Sequence, residues 1–165
     1  MPLEITDQRH LTAAVGYLEL GMFEDAETEL DAINPDVRHL TQVLEIRMEI
    51  YLRQKEWERM QGIAVRLMRT DPNNPQWAIS FAFATRRARS ISAAKAILLE
   101  ALVNHPKEPM ISYNLACYEC QLGNLDSAKL YLEQAIKMNP GFREGALKDV
   151  DLEPLWDSLG TEMVQ

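Results

Sequence analysis

Apolar residues recur at helical spacing along almost the whole chain. Val15, Leu18 and Met22 fall on one face of a predicted helix, and the same spacing returns between positions 44 and 52. No stretch alternates apolar and polar residues between hairpin turns, so strands are not expected. Proline and glycine residues separate helical patterns of about 12–17 residues. The pattern predicts an all-α fold built from consecutive helices.

The apolar pattern also repeats along the chain with a period of 34 residues. Four copies follow one another in phase, without an insertion between them. The positions that this step relates are Ala14, Met48, Ala82 and Ala116; Phe23, Trp57, Ile91 and Leu125; Ala26, Met60, Ala94 and Ala128; Ile33, Leu67, Ala101 and Ala135; and Pro72, Pro106 and Pro140. A period of this length is typical of stacked helical hairpins.

This pattern resembles the tetratricopeptide repeat over roughly residues 7–140. Copy four carries the motif best, in Leu115, Ala116, Gly123, Leu125, Ala128, Ala135 and Pro140. The turn glycine of the family is present as Gly21 and Gly123, but Lys55 and Arg89 replace it in copies two and three. The resemblance implies a right-handed α-solenoid of four helix pairs with a C-terminal capping helix.

The predicted boundaries follow from the repeat register. One domain, residues 1–165, contains repeats at 7–38, 41–72, 75–106 and 109–140, a cap at 141–159 and a frayed tail at 160–165. Copy one ends early at Pro35, so the next helix is expected to gain a turn capped by Asp36.

The cap is expected to cover the last hairpin with its apolar residues and to turn its charges outward. The covering residues are Phe142, Leu147, Val150, Leu152, Leu155 and Trp156. The stretch DVDLEPLWDSL is similar to a tail that follows the last repeat in many bacterial tetratricopeptide proteins, which implies a bacterial source.

Small residues are expected where the two helices of a pair cross, as for Ala14 with Ala26. Copy two places Met48 opposite Met60 instead. Two interpretations stay open: flexible methionines fill a slightly wider gap, or copy two forms a looser hinge.

Charge limits the classes of partner. The net charge is −8, which argues against general nucleic-acid binding, although residues 51–110 carry 10 bases and 5 acids. No apolar run of 18 residues occurs, and the start of the chain lacks a secretory signal pattern. We therefore expect a cytoplasmic protein without membrane insertion.

No motif for catalysis, cofactor binding or metal binding stands out, so neither an enzyme nor a cofactor is expected. Cys117 and Cys120 form a C-x-x-C pair, but the register places them in the middle of a helix, where no helix dipole lowers a thiol pKa. A zinc site would need two further ligands. Packing is the favoured interpretation of both cysteines.

The resemblance implies a ligand-binding groove lined by the first helix of each repeat. Transferred by register, the groove positions are Leu11, Val15, Glu45, Glu49, Leu52, Arg53, Ile79, Phe83, Arg86, Arg87, Tyr113, Cys117 and Gln121. The arginines have two interpretations. They pair within the chain, for instance with Glu45 and Glu49, or they bind a carboxylate of a partner peptide.

The predicted function is non-catalytic binding of a peptide or helical segment of a partner protein, with acidic and apolar residues matching the groove. Two alternatives stay open. One is a small acidic chaperone of the type III secretion class, and the other is a scaffold that self-assembles into homo-oligomers.

Overall fold

The structure is a computed structural model that describes residues 2–161. Within that range the regular elements are all helical, which confirms the predicted all-α class of successive helix pairs. The α-helices are α1 (Ile5–Glu19), α2 (Phe23–Ala32), α3 (Thr41–Gln54), α4 (Trp57–Thr70), α5 (Pro75–Ala88), α6 (Ile91–Asn104), α7 (Pro109–Gln121), α8 (Leu125–Met138), α9 (Phe142–Ala146) and α10 (Trp156–Thr161).

The contacts divide the chain between Trp77 and Ala78 into two compact units, which we describe separately. The predicted single domain and its repeat boundaries stay a prediction. Within the predicted tail, residues 162–165 lie outside the described part of the chain. No helix in the described range is both long and apolar enough to span a membrane.

Buried small residues occupy the predicted helix crossings. Ala14 and Ala26 are fully buried where α1 packs on α2, and Ala116 and Ala128 are fully buried where α7 packs on α8. In the pair α3 and α4, Met60 is buried whereas Met48 is only half-buried. The small alanine side chains of the pairs α1–α2 and α7–α8 allow close approach of the helix axes.

Left-handed residues end three of the four first helices of the pairs. Gly21 has φ 74° and Gly123 has φ 82°, and Lys55 takes the same conformation with φ 59°. After α3, the amide of Glu56 donates to the Tyr51 carbonyl at 2.9 Å and that of Lys55 to the Leu52 carbonyl at 3.2 Å. These two bonds form a Schellman motif, which explains why the helix stops at this point.

The third turn is built differently. Arg89 has no positive φ. Instead, the Ser90 side chain accepts a hydrogen bond from the Ala93 amide at 3.1 Å and caps the start of α6. A serine N-cap therefore makes the left-handed residue unnecessary in copy three.

The connection after α2 corrects one prediction. Asp36 does not cap α3, which begins at Thr41. Residues Pro35–Val37 form a separate 3-10 turn, and the Asn34 side chain accepts the Asp36 amide at 3.1 Å. The prediction failed because it assigned the extra residues after Pro35 to the next helix.

The predicted cap consists of α9, a 3-10 turn (Val150–Leu155) and α10. Leu152 and Leu155 are buried against this end of the second unit, and the turn contacts α7 and α8. Val150, which was expected to help cover the hairpin, is 70% exposed. The expectation that all cap charges face outward is also wrong, because two aspartates of the cap turn towards α5 and α7.

Candidate functional site

An acidic segment of the cap, residues 149–151, lies against predicted groove residues of the second unit. The Arg86 guanidinium at the end of α5 forms two hydrogen bonds to the Asp151 carboxylate, and the bond from Nη2 to Oδ1 measures 3.1 Å. Planar guanidinium and carboxylate groups match each other in this forked geometry. The hydrogen bonds that Arg86 donates to Asp151 raise the pKa of Arg86, although burial opposes the shift.

The aromatic ring of Tyr118 completes the surroundings of Arg86. The guanidinium carbon lies 5.4 Å from the ring centroid, within the range of a cation–π contact. Burial raises the pKa of Tyr118 to about 12, so the phenol is neutral under physiological conditions. Arg86 is thus held by a carboxylate and an aromatic ring together.

Asp149 contacts a second pair of groove residues, both on α7. The Tyr113 hydroxyl donates to Asp149 Oδ2 at 2.9 Å, and the Cys117 thiol lies 3.7 Å from the same oxygen. Burial and the neighbouring carboxylates raise the pKa of both side chains, so both are protonated donors. The Tyr113 ring also packs on Phe142, with centroids 5.1 Å apart.

The backbone of the acidic segment is fixed as well. Gln121 Nε2 donates to the Asp151 carbonyl at 3.2 Å, and the Asp151 amide donates to Asp149 Oδ1 at 3.0 Å. We call the surface formed by Arg86, Tyr113, Cys117 and Gln121 the acid-binding face. Four of the predicted groove positions are therefore brought together around one segment of the chain itself.

The other predicted positions of this unit are Ile79, Phe83 and Arg87. The Arg87 guanidinium stacks on the ring of Phe83, with its carbon 3.6 Å from the ring centroid. Burial, together with the neighbouring charge of Arg86, lowers the pKa of Arg87. Ile79 is buried, and its groove-lining role stays a prediction.

The predicted positions of the first unit form a mixed surface on α1 and α3. Arg53 donates to Glu49 Oε1 at 2.8 Å and to the Leu18 carbonyl at 3.2 Å. This arrangement agrees with the interpretation in which Arg53 pairs within the chain. Glu45 is exposed. The aliphatic positions on the two helices are half-buried, namely Leu11, Val15 and Leu52.

The cysteines are buried, free and located within α7, away from its N-terminus. The ligand atoms of Cys117, Asp149 and Asp151 lie within 4.8 Å of one another. Hydrogen bonds from Arg86 and Tyr113 already engage the two carboxylates. Arg86 supplies the counter-charge for Asp151, and the neutral Tyr113 hydroxyl donates a hydrogen bond to Asp149.

Two features of the second unit were missed by the sequence reasoning. One is the inward orientation of Asp149 and Asp151, for which the only signal was an Asp-x-Asp pattern directly before the buried Leu152. The other is buried Glu119, which accepts from Lys95 of α6 at 2.7 Å and from Asn124 at 2.7 Å. Glu119 occupies the repeat position at which copies one and two have Tyr17 and Tyr51.

A separate apolar cleft of about 200 Å³ lies between α8 and the cap. Its walls are formed by Lys129, Leu132, Glu133, Ile136, Lys137, Arg143, Leu155, Ser158 and Leu159. None of the predicted groove positions lines this cleft.

Comparison with known proteins supports the fold. No protein-family model matches the chain, and no curated protein sequence matches it. Solved structures do match. A thermophilic TPR protein from Thermus thermophilus is 18% identical, with a TM-score of 0.66 over 93% of this chain and 83% of that chain. MamA from Desulfovibrio magneticus RS-1 is 11% identical, with a TM-score of 0.68 over 82% of this chain and 76% of that chain.

A second MamA structure, from MSR-1, is 16% identical, with a TM-score of 0.66 over 81% of this chain and 77% of that chain. At these identities the likeness concerns the fold alone. The chain has the fold of a tetratricopeptide-type helical repeat protein, as the 34-residue period predicts.

Proposed function

We propose that this chain is a non-catalytic protein-interaction module that binds a segment of a partner protein on the acid-binding face. The observation that carries the proposal is the position of the acidic segment. Residues that the family resemblance assigns to ligand contact are the residues that hold Asp149 and Asp151. The chain thus provides an example of the chemistry that this face accepts.

The chemistry of the face suits a short acidic stretch of polypeptide. Arg86 supplies a forked cation for one carboxylate, and the Tyr113 hydroxyl supplies a donor for another. Gln121 donates to a backbone carbonyl, an interaction open to any peptide sequence. Arg87 and Phe83 form a cationic and aromatic border to the face. An acidic partner segment with apolar neighbours matches all of these groups.

The surface on α1 and α3 has a different character. Its half-buried aliphatic side chains are Leu11, Val15 and Leu52, and its charges at Glu45 and Glu49 are negative. The only predicted cation there, Arg53, is engaged by Glu49 and by the Leu18 carbonyl. We propose that this surface contributes apolar contacts rather than carboxylate recognition.

Charge reversal at Arg87 tests the proposal. We expect the tagged full-length Arg87→Glu variant to retain partner protein at least about fivefold more weakly than the wild type, because rim charges steer acidic partners. The matched control is Arg66→Glu, which makes the same charge change at an exposed position on α4. Capture should weaken when NaCl rises from about 50 to about 500 mM, since salt screens exposed charges.

Other outcomes would contradict the proposal. Tight capture that neither Arg87→Glu nor salt changes would favour the secretion-chaperone alternative, in which apolar shielding dominates. A molar mass that rises with concentration in light scattering, without a captured partner, would favour the self-assembling scaffold.

A further inference from the structure

The acidic segment differs from the rest of the cap in how it is held. Leu152 and Leu155, which follow it, are buried among apolar neighbours. Residues 149–151 are held by hydrogen bonds and one ion pair, and the side chains of Arg86 and Asp151 are 22% and 29% exposed. Partly exposed ion pairs exchange against water and salt more readily than apolar contacts do. The polar contacts of residues 149–151 are therefore the more exchangeable part of the attachment of the cap.

The contacts also define what a replacement must offer. The two carboxylates that meet Arg86 and Tyr113 belong to residues two apart in the sequence. The carbonyl that accepts from Gln121 belongs to the second of these residues. Val150 between them is 70% exposed, so the face places no demand on the middle side chain. The recognised pattern is Asp-x-Asp.

Resting on the proposed function, we infer that the acidic segment is an internal ligand that competes with the partner. The partner carries an Asp-x-Asp motif that displaces residues 149–151 from Arg86, Tyr113 and Gln121. The face is closed in the free protein and opens when a matching segment is present. Because the internal ligand is tethered, its local concentration is high, so a single weak motif binds poorly.

A peptide from the chain itself provides the probe. The fluorescein-labelled peptide LKDVDLE, residues 147–153, is titrated into full-length protein and followed by fluorescence anisotropy. We expect the double variant Asp149→Asn/Asp151→Asn to bind it about tenfold more tightly than the wild type, because its own segment no longer competes through charge. A peptide with both aspartates replaced by asparagine should bind neither protein.

The control variant is Glu153→Gln, which removes a charge from an exposed residue of the same 3-10 turn. It should bind the peptide like the wild type. Adding Arg86→Gln to the double variant should abolish the gain in affinity. Retention of the cap in the double variant is checked by tryptophan fluorescence in a background with Trp57 and Trp77 replaced by phenylalanine, so that the signal comes from Trp156. The indole nitrogen of Trp156 donates to the Ala146 carbonyl at 2.8 Å.

A second measurement follows the thiol that the internal ligand covers. Cys117 is 3% exposed and lies against Asp149. In a Cys120→Ser background, the Asp149→Asn/Asp151→Asn change should raise the rate at which Ellman's reagent modifies Cys117 at least about threefold, since buried thiols react only after exposure. Excess LKDVDLE peptide, which covers the same thiol when it occupies the face, should lower the rate again. The asparagine peptide should leave that rate unchanged.

The outcomes separate this inference from the proposed function. Equal peptide affinity of wild type and double variant, with Arg86-dependent binding in both, would overturn the competition and leave the proposed function intact. Peptide binding that is absent from every variant, while partner capture still depends on Arg87, would overturn the Asp-x-Asp motif alone. Loss of both peptide binding and Arg87-dependent capture would overturn the proposed function as well.

Discussion

At the scale of single residues, Lys55 shows how a repeat position imposes its conformation on an unsuitable side chain. It takes the left-handed conformation with φ 59° where Gly21 and Gly123 occupy the equivalent turns. A side chain with a Cβ is strained in this region, whereas glycine is not. The two hydrogen bonds of the Schellman motif after α3 therefore form even though Lys55 has to adopt a strained conformation.

We expect Lys55→Gly to stabilise the protein by about 1 kcal/mol, because relief of the left-handed strain exceeds the added entropy of the unfolded chain. Urea unfolding followed by circular dichroism measures the change. The matched control is Arg89→Gly in the third turn, where φ is not positive and Ser90 caps the next helix. That variant should be less stable than the wild type, and a gain there would contradict the argument.

The two turns also show what the sequence can predict. The 34-residue period identified Lys55 and Arg89 as equivalent positions, and the conformation expected for a turn glycine is present at Lys55. It is absent at Arg89 because the neighbouring Ser90 offers a competing hydrogen bond to Ala93. Repeat spacing predicts where a turn lies, whereas local capping chemistry selects how the turn is made.

At the scale of helices, Glu119 links α7 to α6 through Lys95 and to the following turn through Asn124. Burial opposes ionisation of this carboxyl, but the hydrogen bonds from Lys95 and Asn124 outweigh burial and lower its pKa. In copy two the equivalent position is Tyr51, whose hydroxyl accepts a hydrogen bond from Arg59 at 2.9 Å and so links α3 to α4. One repeat position therefore supports two kinds of polar link between helices.

The lowered pKa of Glu119 predicts a pH dependence of stability. The folded state holds the proton less tightly than an unfolded glutamate of pKa about 4.3, so the link stabilises the fold above that pH. Its contribution is lost as pH falls through the folded pKa. We expect Glu119→Gln to cost about 2 kcal/mol at pH 7 and less at pH 3. Urea midpoints measured at both pH values check this difference.

The control for that experiment is Glu144→Gln. Glu144 pairs with Lys148 at 2.6 Å on the surface of the cap, where solvent screens the charges. Its urea midpoint should match that of the wild type at pH 7. If both variants lose the same stability, the burial of Glu119 has no special role.

At the scale of the whole molecule, the cap is attached by two different kinds of contact. Polar groups hold residues 149–151, and apolar burial holds Leu152 and Leu155. The apolar part was predictable, because Leu152 and Leu155 stand out in a charged stretch. The polar part was not, because the chain offers 25 acids and 17 bases and their pairing depends on tertiary placement.

We expect Leu152→Ala to destabilise the second unit by about 3 kcal/mol, since truncation of a fully buried leucine leaves a cavity. Val150→Ala, two residues earlier and 70% exposed, should change stability by less than about 0.5 kcal/mol. Urea unfolding followed by circular dichroism measures both. Similar losses for the two variants would show that the cap is not anchored through Leu152.

The sequence distance between Arg86 and Asp151 is 65 residues. A polypeptide emerges from the ribosome with its N-terminal part first and begins to fold before synthesis is complete. Arg86, Tyr113 and Gln121 are consequently translated while Asp149 and Asp151 do not yet exist. In the nascent chain Arg86 therefore lacks its carboxylate until residue 151 has been translated, and the competition that we propose cannot operate during that interval.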